Sequence, residues 1–303
     1  MHRWTPHFAW LALLLAACSG GEAIEDTGTA AEGSFGLMSV TYEHEGSEGT
    51  GDGLLLTSRA QFIHYNSMDA ERVGRLLALP LDPTRDLPAA DTCRVYDLTL
   101  DVEQDDRFDQ EEAGHVELLE AGELRVETAS GLVTLTPRHF PGLLPFISGV
   151  VYGEGDPAQV EELGTVEVSS DGGEAVGEFT AQAGSPALPR LLRVGSQTLD
   201  QALVVARGAD LTLHWRPSDT PDELTYLEVL FSKVRRDFAL RCRLRDDGEF
   251  AVPAALIAEA AQATGGRLAL ELARMRQTSF SASGLDSGEL RVTVRERAPF
   301  QVQ

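Results

Sequence analysis

The sequence predicts an all-β protein built from two β-sandwich domains. Runs rich in β-branched and aromatic residues recur at intervals of about ten residues, punctuated by Gly, Pro and Asp. Within the runs apolar and polar residues alternate, the period of a strand with one buried face. Helix is scarce, with one convincing stretch at 253–262.

In the front half the expected strands are Leu37 to Tyr42, Ala60 to Tyr65, Arg94 to Val102, Glu123 to Thr128, Leu132 to Thr136, Ile147 to Tyr152, Thr165 to Ser169 and Val176 to Ala181. Asp171, Gly172 and Gly173 between two of them read as a hairpin turn, because glycine accepts the positive φ such turns require. Around Gly184, Ser185, Pro186 and Pro189 the strand signals pause and the charge balance changes, which places a domain boundary near 186. Beyond it Leu211, Leu213 and Trp215 alternate with Thr212 and His214, and Leu240, Cys242 and Leu244 alternate with Arg241, Arg243 and Arg245. The three arginines, with Lys233, Arg235 and Arg236 nearby, form a basic row on an outward face that is solvated or meets the acidic front half or an anionic partner. Pro253 opens the helix and Gly265 with Gly266 stops it. Leu268, Leu270 and Leu272, then Leu290, Val292 and Val294, provide the last strands.

Seven or so strands in the second unit, with Trp215 upstream of Cys242, are similar to an immunoglobulin-like or fibronectin-like sandwich. The run from Cys242 through Asp246, Asp247, Gly248, Phe250 and Pro253 also resembles a segment of uncharacterised bacterial lipoproteins with β-sandwich domains. That resemblance carries no activity with it.

The first residues have a different character. Arg3 precedes a short apolar run from Trp10 to Ala17, the layout of a secretory signal. The run is too short to span a bilayer, which takes about 20 apolar residues, and Ser19, Gly20 and Gly21 end it. Leu15, Ala16, Ala17 and Cys18 resemble the lipobox of bacterial lipoproteins. The resemblance implies cleavage before Cys18, acylation of its thiol, and attachment to a membrane by lipid. Ser19 in place of Asp after the cysteine is similar to lipoproteins sorted to the outer membrane rather than the inner. The expected layout is therefore a signal peptide over 1–17, a flexible tether over 18–33, an acidic β-sandwich over 34–186 and an immunoglobulin-like β-sandwich over 187–303. The tether is rich in Gly, Ala, Thr and Glu and has no apolar period, giving a reach of roughly 20 Å.

Charge is distributed unevenly. Residues 18–186 hold 8 Arg against 33 Asp and Glu, whereas 187–303 hold 16 Lys and Arg against 15 acids. Phosphate repels such a front half, which disfavours nucleic acid as a partner, and the fingerprints of nucleotide-binding loops are missing. One Lys, Lys233, and one Asn, Asn66, against 24 Arg and 29 Gly point to a GC-rich genome.

Beyond Cys18 there are two cysteines, Cys93 and Cys242, in a compartment where disulfides persist. They fall in different expected domains, so a bridge and a pair of buried thiols both stay open. Asp101, Glu103, Asp105, Asp109 and Glu112 occupy positions 1, 3, 5, 9 and 12 of a twelve-residue run, as in a calcium loop. Asp106 replaces the Gly of the sharp turn and the flanks are not helical, so a solvated charge run is the competing reading. No other cofactor is expected. The histidines His44, His64, His115, His139 and His214 are scattered without metal-ligand spacing, and no Gly-x-Ser-x-Gly elbow occurs. Trp215 falls on the core side of its strand, and the apolar stretch Phe140 to Ile147 reads as a loop over one end of the sandwich.

No reaction is legible in this sequence. The expectation is a non-catalytic, lipid-anchored envelope protein that binds an envelope protein or polymer or serves as a spacer. A hydrolase with a loop-borne site in the first domain and a calcium-stabilised surface adhesin are the alternatives.

Overall fold

The computed structural model describes residues 32–45, 53–98, 114–139, 146–153, 157–199, 203–220, 223–233 and 236–303. Cys18, the signal segment, most of the tether and the acidic run 101–112 lie outside them. Among the described residues the chain is mostly strand. In order it forms β1 (Gly33–Glu45), β2 (Leu54–Asn66), α1 (Ala70–Leu76), β3 (Thr92–Asp97), β4 (His115–Leu118), β5 (Leu124–Thr128), β6 (Gly131–Leu135), β7 (Pro137–His139), β8 (Ile147–Gly153), β9 (Ala158–Val160) and β10 (Thr165–Ser170). There follow β11 (Phe179–Gly184), β12 (Leu191–Val194), β13 (Gln197–Thr198), β14 (Leu203–Val205), β15 (Leu211–Trp215), β16 (Leu224–Lys233), β17 (Arg236–Leu244), β18 (Glu249–Val252), α2 (Ala254–Thr264), β19 (Arg267–Phe280) and β20 (Ser287–Val302).

The organising element is an 11-stranded sheet whose main path runs β17-β16-β19-β20-β1-β2-β4-β8-β7. Its central hairpin, β19 and β20, pairs without a register shift from Arg267↔Gln301 to Phe280↔Gly288. At about 3.3 Å per residue these strands reach roughly 45–50 Å, longer than one sandwich core is wide. One face of the sheet therefore serves two cores. Leu290, Val292 and Val294 of β20, with Met38, Val40 and Tyr42 of β1, pack against a four-stranded sheet ordered β11-β10-β5-β6. Ala298, Phe300 and Val302, two turns of the pleat further along the same face, pack with Leu268, Leu270 and Leu272 against β12, β15, β18 and the buried side of α2.

The chain passes from the first core to the second between Ala183 and Leu191, close to the change of composition near 186. It then returns, since Phe280, Leu290, Val292 and Val294 belong to the first core. The first core therefore draws on 34–186 and on residues of β19 and β20 as well. The N-terminal strand β1 closes the arrangement by pairing in parallel with β20 from Phe35↔Ser287 to Glu45↔Arg297.

The face opposite the cores is covered in part by the segment that follows β2. Helix α1 was not expected from the sequence. Asp69 caps it by accepting from the Arg72 N–H at 2.7 Å, and Glu71 pairs with Arg75 one turn on. Val73 and Leu77 join Ile63, Val116, Leu118 and Ile147 in a third apolar cluster, which holds the helix to the sheet.

Candidate functional site

The inward face of β19 and β20 changes chemistry between the two cores. Arg274 and Arg276 on β19, Glu296 on β20 and His44 on β1 interrupt the apolar series there and form a polar belt across the sheet. Arg274 is 1% exposed and all five of its N–H donors are used. Nε and Nη2 bind both oxygens of Asp246 at 2.9 Å, Nη1 donates to the carbonyls of Ala187 and Leu188, and Nη2 donates to the carbonyl of Arg216. Arg276 donates to the Gly184 carbonyl and to Glu223. The connection between the cores, 184–190, is thus laid over the belt by charge-assisted hydrogen bonds.

Burial opposes the charge of Asp246, but hydrogen bonds from Arg274, the Trp215 indole and the Ser218 N–H outweigh it and hold the carboxyl below the usual range. Glu296 behaves in the opposite way. Burial pushes its carboxyl up, and the Leu191 N–H, His44 and Arg190 only partly counter this.

Cys93 and Cys242 are joined in a disulfide with Cα atoms 4.0 Å apart. The bridge fastens β3 beside β17, where the Asp91 N–H also donates to Arg243 O and the Leu98 N–H to Asp237 O. This answers where the basic row goes. Asp97 pairs with Arg236 and Asp91 with Arg245, while Arg241 is buried, bound to Glu228 at 2.7 Å and lies against the Tyr96 ring. Of the three outward arginines, Arg243 and Arg245 remain exposed; Arg241 does not, because β3 covers it. The partner of Cys242 comes from the front half, across the boundary expected near 186.

On that outer face Glu43, Arg295, Glu271, Glu228 and Arg241 follow one another across β1, β20, β19, β16 and β17. Arg295 bridges Glu43 and Glu271. Burial raises the Glu271 carboxyl, Arg295 counters it, and the neighbouring Glu228 and Glu43 add to the rise.

Each of the remaining candidate residues has an ordinary place. His44 sits 3.6 Å from Glu296, His64 3.2 Å from Glu32, and His214 3.6 Å from Glu249. His115 meets Ser148, and His139 is exposed on β7. Trp215 is buried, as its parity requires, with its indole N–H on Asp246. Of the apolar stretch before β8, Phe146 packs on the third apolar cluster and its carbonyl accepts from Val116. Among the described residues no group of three His, Cys, Asp or Glu is arranged to hold a metal ion.

Two clefts open on the outer face of β1 and β2, one on each side of Leu37 and Pro80. The first, about 400 Å³, is bordered by Ser34, Tyr65, Asp82, Arg85, Asp286 and Arg291. Its charges are engaged within the fold. Arg291 holds Glu289 and the carbonyls of Pro80 and Leu81, Arg85 grips Asp86, and Asp286 accepts from the backbone and hydroxyl of Ser34. The second cleft, about 370 Å³, differs. Leu37, Leu77, Pro80 and Val151 give it an apolar lining, and Arg59 and Arg138 stand at its rim. Among the described residues no carboxylate lines it, and both guanidiniums are exposed without an ion-pair partner. The sheet register explains how the two arginines come to one face, on either side of β8. Arg59 of β2 lies opposite Gly153 of β8, and Arg138 of β7 lies opposite Val151. Sequence reasoning missed this site because 79 residues separate the arginines and only the pairing of β8 brings them to one face.

No family model matches the chain, and no curated protein matches it significantly. A matched solved structure is the Fcho1 mu homology domain of Danio rerio with bound Eps15 peptide, at 9% identity over 89% of this chain and 97% of that one. Its TM-score of 0.24 carries no argument about this chain.

Proposed function

We propose that this protein is a lipid-anchored envelope protein whose β-sheet body is a non-catalytic binding module. The observation that carries the reading is the second cleft. Two arginines that have no ion-pair partner among the described residues flank a largely apolar floor in the half of the chain where acids outnumber arginines 33 to 8. Two guanidiniums outside any ion pair among the described residues are a local attractor for an anionic group.

The anchor is supported by Leu15, Ala16, Ala17 and Cys18 at the end of the signal-like run. Each buried methylene contributes about 0.8 kcal/mol, so two or three acyl chains on Cys18 hold a protein at a bilayer without contact by its body. The outer membrane is the proposed location. Fractionation of cells expressing the full chain tests the anchor. The wild type sediments with membranes through high-salt washes and is released by detergent, and Cys18→Ala is found in the soluble fraction. Equal partitioning of the two would refute it.

A further inference from the structure

We propose that the cleft between β8 and the end of α1 binds a single-chain amphiphile with an anionic head, of the long-chain carboxylate class. This deepens the binding-module reading and can fail while that reading stands.

Three observations carry the inference. Much of the wall is aliphatic: Leu37 and Leu77 are almost fully buried beneath the opening, Pro80 and Val151 border it, and Ser39 and Gln61 also line it. An acyl chain asks only for such surface, at about 25 cal/mol per Å² removed from water. Among the described residues the charges at the rim are of one sign, and guanidinium forks match carboxylate oxygens in a bidentate geometry. The cleft also lies over side chains in the middle of a paired sheet, where β2 bonds to β8 through Arg59↔Gly153 and Ala60↔Tyr152. The strand backbone beneath the floor is already paired between β2 and β8, and the edge strand β7 lies at the rim with Arg138. The occupant favoured by the aliphatic wall and the arginines needs apolar surface and an anion site.

Gly153 supplies the test of location. A Cβ built there meets nothing within 4 Å, so the residue tolerates a side chain that would project over the cleft. Gly153→Leu therefore fills the site without disturbing the core. The experiment is a fluorescence titration of the purified full chain with cis-parinaric acid as probe, followed by displacement with oleate, oleyl alcohol and inorganic phosphate. All variants are checked against the wild type by thermal melting.

The expected result is saturable binding of one probe per chain, displaced by oleate at least about tenfold more effectively than by oleyl alcohol and not by phosphate. Arg59→Gln combined with Arg138→Gln weakens binding about tenfold or more, and Gly153→Leu abolishes it, with melting temperatures retained. Four outcomes would overturn the proposal: no saturable binding, equal displacement by the alcohol, displacement by phosphate alone, or binding unchanged in folded Gly153→Leu. Should Gly153→Leu fail to fold, the double arginine variant decides the matter. None of these outcomes bears on whether Cys18 is acylated, which fractionation reads separately.

Discussion

Replacing Arg274 by Met removes a charge that fastens three separate pieces of chain to β19. The side chain is similar in length and apolar, so packing volume is roughly kept. What is lost is the partner of Asp246 and the donors to the carbonyls of Ala187, Leu188 and Arg216. Removing one member of a buried pair costs about 3–5 kcal/mol, because the other charge is left without compensation. Asp246 is 17% exposed at its side chain, and Trp215 and Ser218 still donate to it, so the lower part of that range applies to the pair itself. The orphaned carbonyls add to it, and a total of about 4 kcal/mol is expected. Urea unfolding measures this as a lower midpoint at constant slope. The cycle with Asp246→Asn isolates the pair: Asn removes the charge and keeps an acceptor for the indole. The double variant should recover about 2 kcal/mol relative to the sum of the single ones. A loss below about 1 kcal/mol for Arg274→Met, or strict additivity in the cycle, would refute the idea that the belt ties the two cores together.

Other consequences can be measured. The Cys93–Cys242 bridge closes a separation of 149 residues, so Cys93→Ala with Cys242→Ala should lower stability by up to about 5 kcal/mol, read from denaturant midpoints under non-reducing conditions. Gly149 has φ +109, and a Cβ there would meet Leu118 O at 1.9 Å. Gly149→Ala should therefore lose at least about 2 kcal/mol, while Gly153→Ala in the same strand should be near neutral. Glu271 and Glu296 have raised carboxyls in the folded state, so above the unfolded carboxylate range the folded chain binds more protons than the unfolded one. Stability should then fall as pH rises through that window, and Glu271→Gln with Glu296→Gln should flatten the fall. Asp246, held low, contributes in the other direction: its stabilisation is full above the unfolded value and lost as pH drops through the folded one.

Strands with one buried face were the most legible feature of the sequence. The alternation of Leu211, Leu213 and Trp215, of Leu240, Cys242 and Leu244, and of Leu290, Val292 and Val294 is the alternation of the folded sheet. β16 escaped the pattern because Leu224, Tyr226 and Leu230 on its outer face are as apolar as Leu227, Val229 and Phe231 on its inner one. Short elements such as β4, β9, β12, β13 and β14 are below the length at which a period can be read. Helix α1 carries a capping Asp69 and a Glu71–Arg75 pair, but seven residues make too few turns for an amphipathic face to stand out.

The belt had a signal that parity reading passes over. Leu268, Leu270 and Leu272 are followed on the same face by Arg274 and Arg276, and a charge at an inward position marks either the end of a core or a buried partner. The second cleft had no signal of that kind. Arg59 and Arg138 are ordinary surface residues in sequence, and their meaning comes from which strand lies between them. The arrangement of two cores on one sheet was equally hidden, since it depends on β20 finding β1 across more than 240 residues.

The proposed anchor requires a mature chain that starts at Cys18 and carries acyl groups there. Mass spectrometry of the protein purified from bacterial membranes measures this directly. The predicted N-terminal peptide begins at Cys18 and carries the added mass of a diacylglyceryl group, with or without a further acyl chain on the amine. An unmodified peptide beginning at Cys18 or elsewhere, or one retaining Met1, would contradict it.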